Sequence, residues 1–580
     1  MPTRIPRPCP RRVPPAAPHH HAAAGAARGV TRRLFLDGTL KASIAAGVAG
    51  RLSMLDLLAA PPRGAAARRF DGELIEDGYG IAHRLRDGSL TIPTLVPEGP
   101  LHDAIVLGGG VSGLMAAWEL RRGGLHDVLL YEKEDYLGGN ARKGHANGTD
   151  YTCATWSVVR PRDPFLTRMF EDLGVITGFA ADGTPRIDPV LVAEGPENNT
   201  LLDGTWYYDP WSPKPEAAAA VAKMPLSAKE RADEVAVLED MGRWAERKGR
   251  DGRPAFAMPV EDGSRDPGIL ELDRITMEEY VRRKGWGPRA LTGVDDYSTS
   301  TIGGLASQVS AYGFLSFNAL GQGGEDITLP GGNAWLAARL AERAGTDRLR
   351  TGLMAVRVEN AGKEVRVTLV DPRTERFSMR RARTVVVACQ KHITGRMVPE
   401  LAASGRDQYL KFQYGALLMG AASVNRTPVL KGAPLAWFNT VFGRLTQGFL
   451  VADFNSDRWR GGDPARPNVL CLWTPLEGRA SRADLLLQPW SHWADRLADD
   501  LEFMVPGIGR DLTRLDVYAW GHHMVIPYPG FLTGAARAAL TRPLGRITFA
   551  HSDRHGMPSF ELATRAGYDA AREAVRIVKA

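Results

Sequence analysis

The chain has 580 residues, enough for at least two domains, and its 44% hydrophobic and 24% charged content is ordinary for a globular protein. Its net charge of +7 arises in residues 1–68, which hold eleven Lys or Arg and two Asp or Glu, so the remainder is slightly acidic and a nucleic-acid-binding face is not expected. Four widely spaced cysteines without a CxxC pair argue against a disulfide framework and against a metal site.

The N-terminal segment has the order of an export signal. Thr31–Leu36 reads Thr-Arg-Arg-Leu-Phe-Leu and precedes a weakly apolar run at about Ala42–Gly50, and Ala59–Pro62 follows as a candidate processing region. This order resembles a bacterial twin-arginine signal peptide. The resemblance implies passage of a folded protein through the twin-arginine export machinery to the periplasm or beyond. We assign residues 1–60 to the leader and 61–100 to an N-terminal extension.

A dinucleotide-binding unit follows the extension. Ala104–Leu107 is a short apolar run typical of a buried strand, and Gly108–Gly113 completes a GxGxxG pattern. Leu114–Arg122 has helical spacing, Val128–Tyr131 is a second apolar strand, and Glu132 closes it. Strand, glycines, helix, strand and acid thus occur in the order that a Rossmann-type fold requires.

Each glycine of this pattern has a physical task. Gly108 permits a tight turn, Gly110 lets the backbone approach a diphosphate, and Gly113 lets the helix pack closely on the strand. The helix N-terminus offers free N–H groups to the phosphates, and the acid can accept hydrogen bonds from ribose hydroxyls. The contacts expected from this unit are Gly108, Gly110, Val111, Ser112, Gly113 and Glu132.

A second glycine motif distinguishes between NAD and FAD as the dinucleotide. Gly138 and Gly139 follow Glu132 after five intervening residues. This spacing resembles the second fingerprint of the flavin amine oxidases, in which Arg often follows the glycines. Asn140 stands there in this chain and Arg142 two residues later, which resembles the spermidine dehydrogenase-like group. The resemblance implies FAD as the cofactor, contacted by Lys133, Gly138, Gly139, Asn140 and Arg142.

Two later segments resemble the same family. Leu329–Ala334 is similar to its Pro-Gly-Gly-Asn loop near the flavin. Alternating strands follow at Met354–Val358 and Val365–Val370, and the apolar run Thr384–Cys389 then returns to the dinucleotide unit. The resemblance implies cofactor contacts from Gly331, Gly332, Asn333, Val356 and Cys389.

The C-terminal segment is similar to the closing motif of FAD oxidoreductases. Gly545–Asp553 forms a strand that ends in an acid, with Ser552 where a glycine is usual, and a helix is predicted from Ser559 to Lys579. The resemblance implies that Asp553 reaches a ribityl hydroxyl. It also implies that the helix N-terminus, at Ser559 and Phe560, faces the pyrimidine end of the flavin, where reduction adds negative charge.

The fold class expected from these segments is α/β. It consists of a Rossmann-type FAD-binding domain, similar to those of glutathione reductase and the amine oxidases, with an interleaved α+β substrate domain. The FAD-binding parts are assigned to 101–150, 329–400 and 531–580, and the substrate parts to 151–328 and 401–530.

Candidate substrate residues lie just before the C-terminal motif. Trp520 can form one wall of an amine cage, because aromatic faces attract cations. His522 or His523 can take a proton from a substrate ammonium, or all three can be an ordinary buried cluster. Asp295 and Asp296 are candidates for binding a distal ammonium, or else a solvated acidic turn. The lysine of many amine oxidases has no assignable counterpart.

Three functions remain open. The first is an exported amine dehydrogenase or oxidase with non-covalent FAD, which accepts hydride at flavin N5 and passes electrons to oxygen or to a periplasmic carrier such as a cytochrome or quinone. The second is an FAD-dependent desaturase or isomerase that has the same fold and acts on an apolar substrate. The third is an FAD-binding partner subunit without turnover.

Overall fold

The computed structural model describes residues 70–580 except 162, 192–197, 209–218, 220, 322–325, 407–408, 410 and 455–464, so the leader lies outside the described residues. Its strands, in chain order, are β1 Leu74–Glu76, β2 Glu98–Leu107, β3 Val128–Tyr131, β4 Lys143–Ala146, β5 Thr149–Thr152, β6 Ser157–Val159, β7 Ile176–Phe179, β8 Pro185–Ile187, β9 Asn198–Leu202, β10 Thr205–Tyr208, β11 Asp326–Thr328, β12 Leu349–Arg350, β13 Met354–Ala361, β14 Glu364–Val370, β15 Phe377–Val387, β16 Tyr414–Val424, β17 Phe438–Val441, β18 Gly448–Val451, β19 Asn468–Leu476, β20 Leu512–Val525 and β21 Ile547–Phe549. Its α-helices are α1 Gly80–Arg86, α2 Val111–Arg122, α3 Pro164–Asp172, α4 Ala228–Glu246, α5 Pro267–Leu270, α6 Met277–Arg283, α7 Pro288–Ile302, α8 Ala311–Gly321, α9 Ala334–Ala344, α10 Lys391–Met397, α11 Glu400–Ala403, α12 Gly478–Leu487, α13 Trp490–Met504, α14 Ala535–Leu540 and α15 Phe560–Lys579.

The dinucleotide unit is built on a sheet of order β12-β3-β2-β15-β14-β13, and β21 also pairs with β15. The pairs β12–β3, β3–β2, β2–β15 and β15–β21 are parallel, whereas β13, β14 and β15 are antiparallel. A parallel sheet must be covered on both faces, and its strands are correspondingly apolar. Helices α2, α9 and α15 share one buried cluster with it, which confirms the predicted Rossmann-type fold class.

The second sheet has the order β1-β20-β16-β19-β18-β17-β9-β10. It is antiparallel except where β1 pairs with β20 and β17 with β9. Strand β16 is buried along its whole length, and α13 covers the sheet with Trp493, Leu497 and Leu501, none of which is exposed. Among the described helices, none combines the length and the apolar character that crossing a bilayer requires.

Helices α2 and α15 make the closest helix contact beside the dinucleotide sheet. A Cβ placed on Gly567 of α15 would collide with the carbonyl oxygen of Ser112 and lie 3.1 Å from the Cβ of Met115. This contact fixes the first turn of α2, whose N-terminus is the predicted phosphate site.

We expect Gly567→Ala to lower the free energy of unfolding by about 1–3 kcal/mol, because the added methyl group forces the two helices apart. Gly242→Ala is the matched control, since Gly242 lies in α4 with nothing within 4 Å of an added Cβ. Relief from glycine's conformational entropy should make the control roughly 0.5–1 kcal/mol more stable. Urea denaturation measures both, and equal shifts in the two variants would contradict the proposed role of the contact.

Candidate active site

A large cavity is lined by residues of both sheets and of helices α4 and α7. Its volume of about 1410 Å³ exceeds the roughly 300–1,000 Å³ that is typical of pockets for one small ligand. The cavity therefore has room for a dinucleotide and a substrate together. Most of the residues that the sequence predicted to bind a cofactor lie on its wall.

The first glycine loop places the N-terminus of α2 against the cavity. Gly108 has a φ of +107°, and a Cβ there would lie 2.8 Å from the carbonyl oxygen of Ala388. A Cβ on Gly113 would collide with the carbonyl oxygen of Gly108, so close packing of α2 on β2 requires glycine. Gly110 is the N-cap and no side chain caps the helix, which leaves its first N–H groups available for a ligand.

The second glycine pair packs directly against the first loop at the cavity wall. The Gly138 N–H donates to the carbonyl oxygen of Gly109 at 2.8 Å, and a Cβ on Gly139 would lie 3.2 Å from the Cα of Gly110. Gly138 and Gly139 both have positive φ, at +110° and +59°. The two glycine stretches thus leave a backbone-lined cradle that a side chain would fill, which fits a diphosphate.

Glu132 occupies the end of β3 beside this cradle. Its carboxylate accepts hydrogen bonds from the N–H groups of Gly109 at 2.6 Å and Glu134 at 2.9 Å. Burial raises the pKa of Glu132, although the hydrogen bond from Gly109 and the charge of Lys133 oppose the shift. Glu132 and Lys133 both line the cavity, in a position to meet a ribose.

Asn140 lines the cavity, whereas Arg142 does not. The Asn140 amide donates to the carbonyl oxygen of His523 at 3.1 Å and lies 3.3 Å from its Nδ1, which ties the glycine loop to β20. The Arg142 guanidinium lies over the rings of Tyr136 and Tyr518, at 4.3 and 5.5 Å from their centroids. The guanidinium of Arg142 thus packs on two tyrosines and is not part of the cavity wall.

The Pro-Gly-Gly-Asn loop presents a single unpaired acceptor to the cavity. Gly331 and Gly332 have φ near +70°, and a Cβ on Gly332 would collide with the carbonyl oxygen of Thr155, so the glycines support the loop without lining the cavity. The Asn333 amide donates to the carbonyl oxygen of Ser157 at 2.9 Å. Its Oδ1 is buried and has no hydrogen-bond partner among the described residues, so it is available to a cofactor.

Cys389 lines the cavity, but Val356 lies behind it. Val356 is buried in a small cluster with Ile81, Leu90 and Met354, and Met354 reaches the cavity instead. The Cys389 thiol donates to the carbonyl oxygen of Leu107 at 3.3 Å, and burial raises its pKa to about 12. A neutral thiol beside the first glycine loop is a packing group.

Two features of the C-terminal motif are not apparent from its sequence. His551 has a positive φ of +80°. The carboxylate of Asp553 is buried behind the cavity wall, where it accepts the Lys391 N–H at 2.9 Å and the Tyr414 hydroxyl at 2.5 Å. Burial acts to raise the pKa of Asp553, but His551 and these partners outweigh it and hold the pKa below its usual range.

His551 and Ser552 line the cavity, whereas Asp553, for which a contact with the ribityl chain is predicted, does not. The predicted C-terminal helix begins at Phe560, capped by Ser559, whose Oγ accepts the Leu562 N–H at 3.0 Å. Ser559 and Phe560 both line the cavity, so the positive end of this 20-residue helix lies at its wall.

Aromatic side chains form the wall beyond Asn140. The ring centroid of Trp156 lies 4.1 Å from that of Trp473, edge to face, and 5.6 Å from that of Phe438, stacked. The ring centroids of Trp473 and His523 are 5.6 Å apart. Trp520 also lines the cavity and is fixed by its indole N–H, which donates to the carbonyl oxygen of Cys153 at 2.9 Å. Trp156, Trp473, Phe438 and Trp520 are called the aromatic wall below.

The two adjacent histidines are neutral and partly stacked. The ring of His522 stacks on that of His392 at 4.4 Å, and the Gln390 amide donates to the carbonyl oxygen of His522. Burial lowers the pKa of His522 and of His523 to about 3, and that of His392 to about 4. Imidazoles of such low basicity cannot hold a proton taken from an ammonium group.

Of the acidic pair on α7, only Asp296 lines the cavity, whereas Asp295 accepts the Ala306 N–H at 2.8 Å and closes the loop after the helix. Sequence reasoning missed Glu234, Gln447, Trp156 and Trp473, which also line the cavity. Trp473 lies in an apolar strand and Glu234 in a charge-rich helix, so neither position has a local signal. Among the described residues, no group of His, Cys, Asp or Glu could hold a metal ion.

Residues 71–90, called the cover segment, close the cavity next to Glu132. The segment pairs with β20 through β1, its Gly78 N–H donates to the Glu134 carboxylate at 3.0 Å, and its Asp77 accepts the Tyr136 hydroxyl at 2.7 Å. Glu76, Asp77, Tyr79, Ala82, His83 and Arg86 of this segment line the cavity. A bound dinucleotide would thus lie under chain that precedes the Rossmann strand β2.

Comparison with known proteins places the chain among flavoenzymes. Residues 111–575 match the family described as flavin containing amine oxidoreductase. Flavin-containing amine oxidase A of Canis lupus familiaris is 23% identical over 265 residues, and that of Sus scrofa is 22% identical over 277 residues. These alignments cover 44% of this chain and 44% of the canine protein, and 46% of each in the porcine case, so they span less than half of either relative.

Solved structures share the fold over most of the chain. Cyclohexylamine oxidase from Brevibacterium oxydans IH-35A superposes with a TM-score of 0.61 at 18% identity, and wild-type putrescine oxidase bound to putrescine gives the same values. Each match covers 83% of this chain and 100% of that structure. A fatty acid isomerase from P. acnes has a TM-score of 0.56 at 14% identity, covering 81% of this chain and 98% of that one. Identities of this size show a common fold alone.

We expect Ile81→Ala in the cover segment to accelerate release of FAD, because Ile81 is buried under the segment without lining the cavity. Truncating such a side chain costs about 2–4 kcal/mol of local packing. The rate of flavin fluorescence recovery after dilution measures release. Leu226→Ala is the matched control, since Leu226 lies in a comparable small cluster outside the cavity wall. Equal release rates in both variants would show that the cover segment does not retain the cofactor.

Proposed function

Because the chain belongs to the flavin-containing amine oxidoreductase family, we propose that this FAD-dependent oxidoreductase takes a hydride from the carbon that bears the nitrogen of an amine. The observation that carries the proposal is the aromatic wall, which adjoins the glycine cradle through Asn140 and His523. Aromatic faces attract cationic nitrogen and remain apolar toward the carbon chain. The wall therefore suits a ligand that enters as an ammonium and reacts as an amine.

FAD fits the site in which it would be held. The facing glycine stretches accept its diphosphate, Glu132 its ribose, and Asn333 Oδ1 offers an acceptor that is otherwise unpaired. Bound FAD supplies the chemistry of hydride acceptance. We propose that it is bound non-covalently, since Cys389 is the only described cysteine on the cavity wall and lies beside Gly108 at the diphosphate end.

The chain contributes positioning and desolvation to the reaction. The aromatic wall first attracts the substrate as an ammonium, which loses its proton to water before Trp156, Trp473 and Phe438 complete the desolvation of the nitrogen, because desolvation disfavours the charged form. The carbon–hydrogen bond of the neutral amine then breaks, its electron pair leaves with the hydride that the cofactor would accept, and the nitrogen lone pair completes a C=N bond. Water then hydrolyses the imine to a carbonyl compound and a free amine or ammonia.

The histidines have a structural part in this scheme. His523 holds Asn140, and His522 packs against His392, while their low pKa values keep all three imidazoles neutral at physiological pH. Neutral imidazoles add no positive charge beside the aromatic wall. Proton removal is therefore assigned to solvent, and the general-base role expected from the sequence is set aside.

We further propose that the protein is exported through the twin-arginine route and acts in the periplasm. The support is Arg32–Arg33 with the apolar run behind it, a segment outside the described residues. Electrons from the reduced cofactor would pass to oxygen or to a periplasmic carrier such as a cytochrome or quinone. A polyamine is the substrate class that we develop below.

The reaction class is tested by titrating the purified protein with amines in the absence of oxygen. We expect the flavin absorption to bleach with stoichiometric amine, because two electrons move with each hydride. Admitting air then distinguishes an oxidase, which regains its colour, from a dehydrogenase. A bound flavin that no amine bleaches would contradict the proposal and favour a desaturase or isomerase of an apolar substrate.

The proton assignment is tested by the pH dependence of flavin reduction. We expect the rate to rise with pH, because only the neutral amine reacts, and the midpoint to move when an amine of different basicity is used. His522→Asn should leave that midpoint unchanged, since a group with a pKa of about 3 does not titrate in the working range. A midpoint that shifts or vanishes in this variant would restore His522 as the base.

A further inference from the structure

One wall of the cavity carries acceptors that the proposed chemistry does not use. Helix α7 presents Gly293, Asp296 and Ser300, which lie three or four residues apart and so share one face. Helix α4 adds Glu234 beside apolar Val237 and Met241 at the same cavity. This surface, called the acceptor wall, lies outside the residues that surround the glycine cradle.

Glu234 is a buried carboxylate that lines the cavity without a hydrogen bond to Oε1. The residue is 5% exposed, and Oε1 has no hydrogen-bond partner among the described residues. The nearest cation is Arg289, whose Nε lies 3.8 Å away, beyond hydrogen-bonding distance, and whose guanidinium lies over Phe442. Burial raises the pKa of Glu234 to about 7, although the charge of Arg289 opposes this shift.

Gln447 provides a second unpaired acceptor, next to the aromatic wall. It is 6% exposed, and its Nε2 donates to Thr299 Oγ1 at 2.8 Å, while Oε1 has no partner in the described part of the chain. Its backbone N–H donates to the carbonyl oxygen of Trp473 at 2.9 Å. Gln447 therefore joins the acceptor wall to the place where the reacting nitrogen is expected.

Glu234 and Gln447 contact helix α7 at two different positions, and the spacing of these positions gives the separation of the two acceptors along the helix axis. A Cβ on Gly293 would lie 3.8 Å from both carboxylate oxygens of Glu234, and Thr299 contacts Gln447. These helix positions are six residues apart, which corresponds to about 9 Å along the axis of α7. An extended chain of several methylene groups spans this separation.

We propose that the acceptor wall binds the distal ammonium of a diamine or polyamine, with Glu234 as its counter-ion and Gln447 as an acceptor for a nitrogen nearer the flavin. The proposal rests on the amine chemistry proposed above. An ammonium group has three donors and no acceptor, which matches a wall of carboxylate and carbonyl oxygens. A neutral or anionic tail would leave Oε1 of the buried Glu234 without a hydrogen-bond donor.

The test compares 1,8-diaminooctane with octylamine, which differ only in the second ammonium. The dissociation constant of each comes from the concentration dependence of anaerobic flavin reduction. In the unaltered protein we expect the diamine to bind at least tenfold more tightly. Glu234→Gln should remove that advantage and leave both the octylamine constant and the limiting reduction rate unchanged. Glu239→Gln, an exposed position on the same helix, is the matched control.

A second variant keeps the test independent of how well Glu234→Gln folds. Spermidine has the same chain length as 1,8-diaminooctane, with one secondary amine in place of a methylene group. We expect Gln447→Leu to weaken spermidine several-fold more than the diamine, because only spermidine offers a donor along the chain. Equal losses for spermidine and the diamine would overturn the role of Gln447.

The outcomes separate this proposal from the amine chemistry. If octylamine and the diamine reduce the flavin with equal affinity, or if Glu234→Gln weakens both alike, the distal site is overturned and amine oxidation stands. If neither amine reduces the flavin, amine oxidation fails, and calorimetric titration with 1,8-diaminooctane tests the wall alone. Binding that Glu234→Gln abolishes would then support the site, and identical binding in both proteins would overturn it.

Discussion

The close backbone approach of the two glycine stretches is the constraint on which the rest of the site depends. The hydrogen bond from Gly138 to Gly109 and the packing of Gly139 on Gly110 leave no space for side chains. They also fix the direction in which the chain leaves the cradle. The next residue, Asn140, can therefore reach β20 and hold His523. The contact between the two glycine stretches thus positions Asn140, which links the dinucleotide unit to the second sheet.

Burial has opposite electrostatic consequences at the two ends of the substrate region. Around the aromatic wall it favours neutral imidazoles, because a buried base loses its proton more easily. On the acceptor wall it raises the pKa of Glu234, because a buried acid keeps its proton more tightly. A cation that enters from water finds no positive imidazole at the first place. At the acceptor wall the cation meets the carboxyl group of Glu234, which becomes its counter-ion by losing a proton.

The cover segment links cofactor retention to the folding of the N-terminal region. Its contacts reach β20 of the second sheet and Glu134 of the dinucleotide unit, so it bridges the two parts of the chain that enclose the cavity. A dinucleotide beneath it would be held by packing as well as by its own hydrogen bonds.

The sequence by itself determined the dinucleotide unit, because its signals are local. Glycine spacing, apolar strands and a terminal acid act within a few residues of one another, so Gly108 to Gly139 and the C-terminal helix could be predicted in place. Resemblance extended this to the flavin family, and the family match agrees. The same reasoning predicted Arg142 and Asp553 as cofactor contacts. Neither lines the cavity, because Arg142 packs on tyrosines and Asp553 is buried among hydrogen bonds.

Only the tertiary structure decided the substrate side of the cavity. Trp156, Trp473, Glu234 and Gln447 come from separate strands, helices and loops, and nothing near each of them in sequence indicates a site. Their meeting depends on how the second sheet and helices α4 and α7 pack against the dinucleotide unit. The same packing decides the basicity of His522 and His523, since a pKa is set by burial and neighbouring charges, which the sequence does not contain.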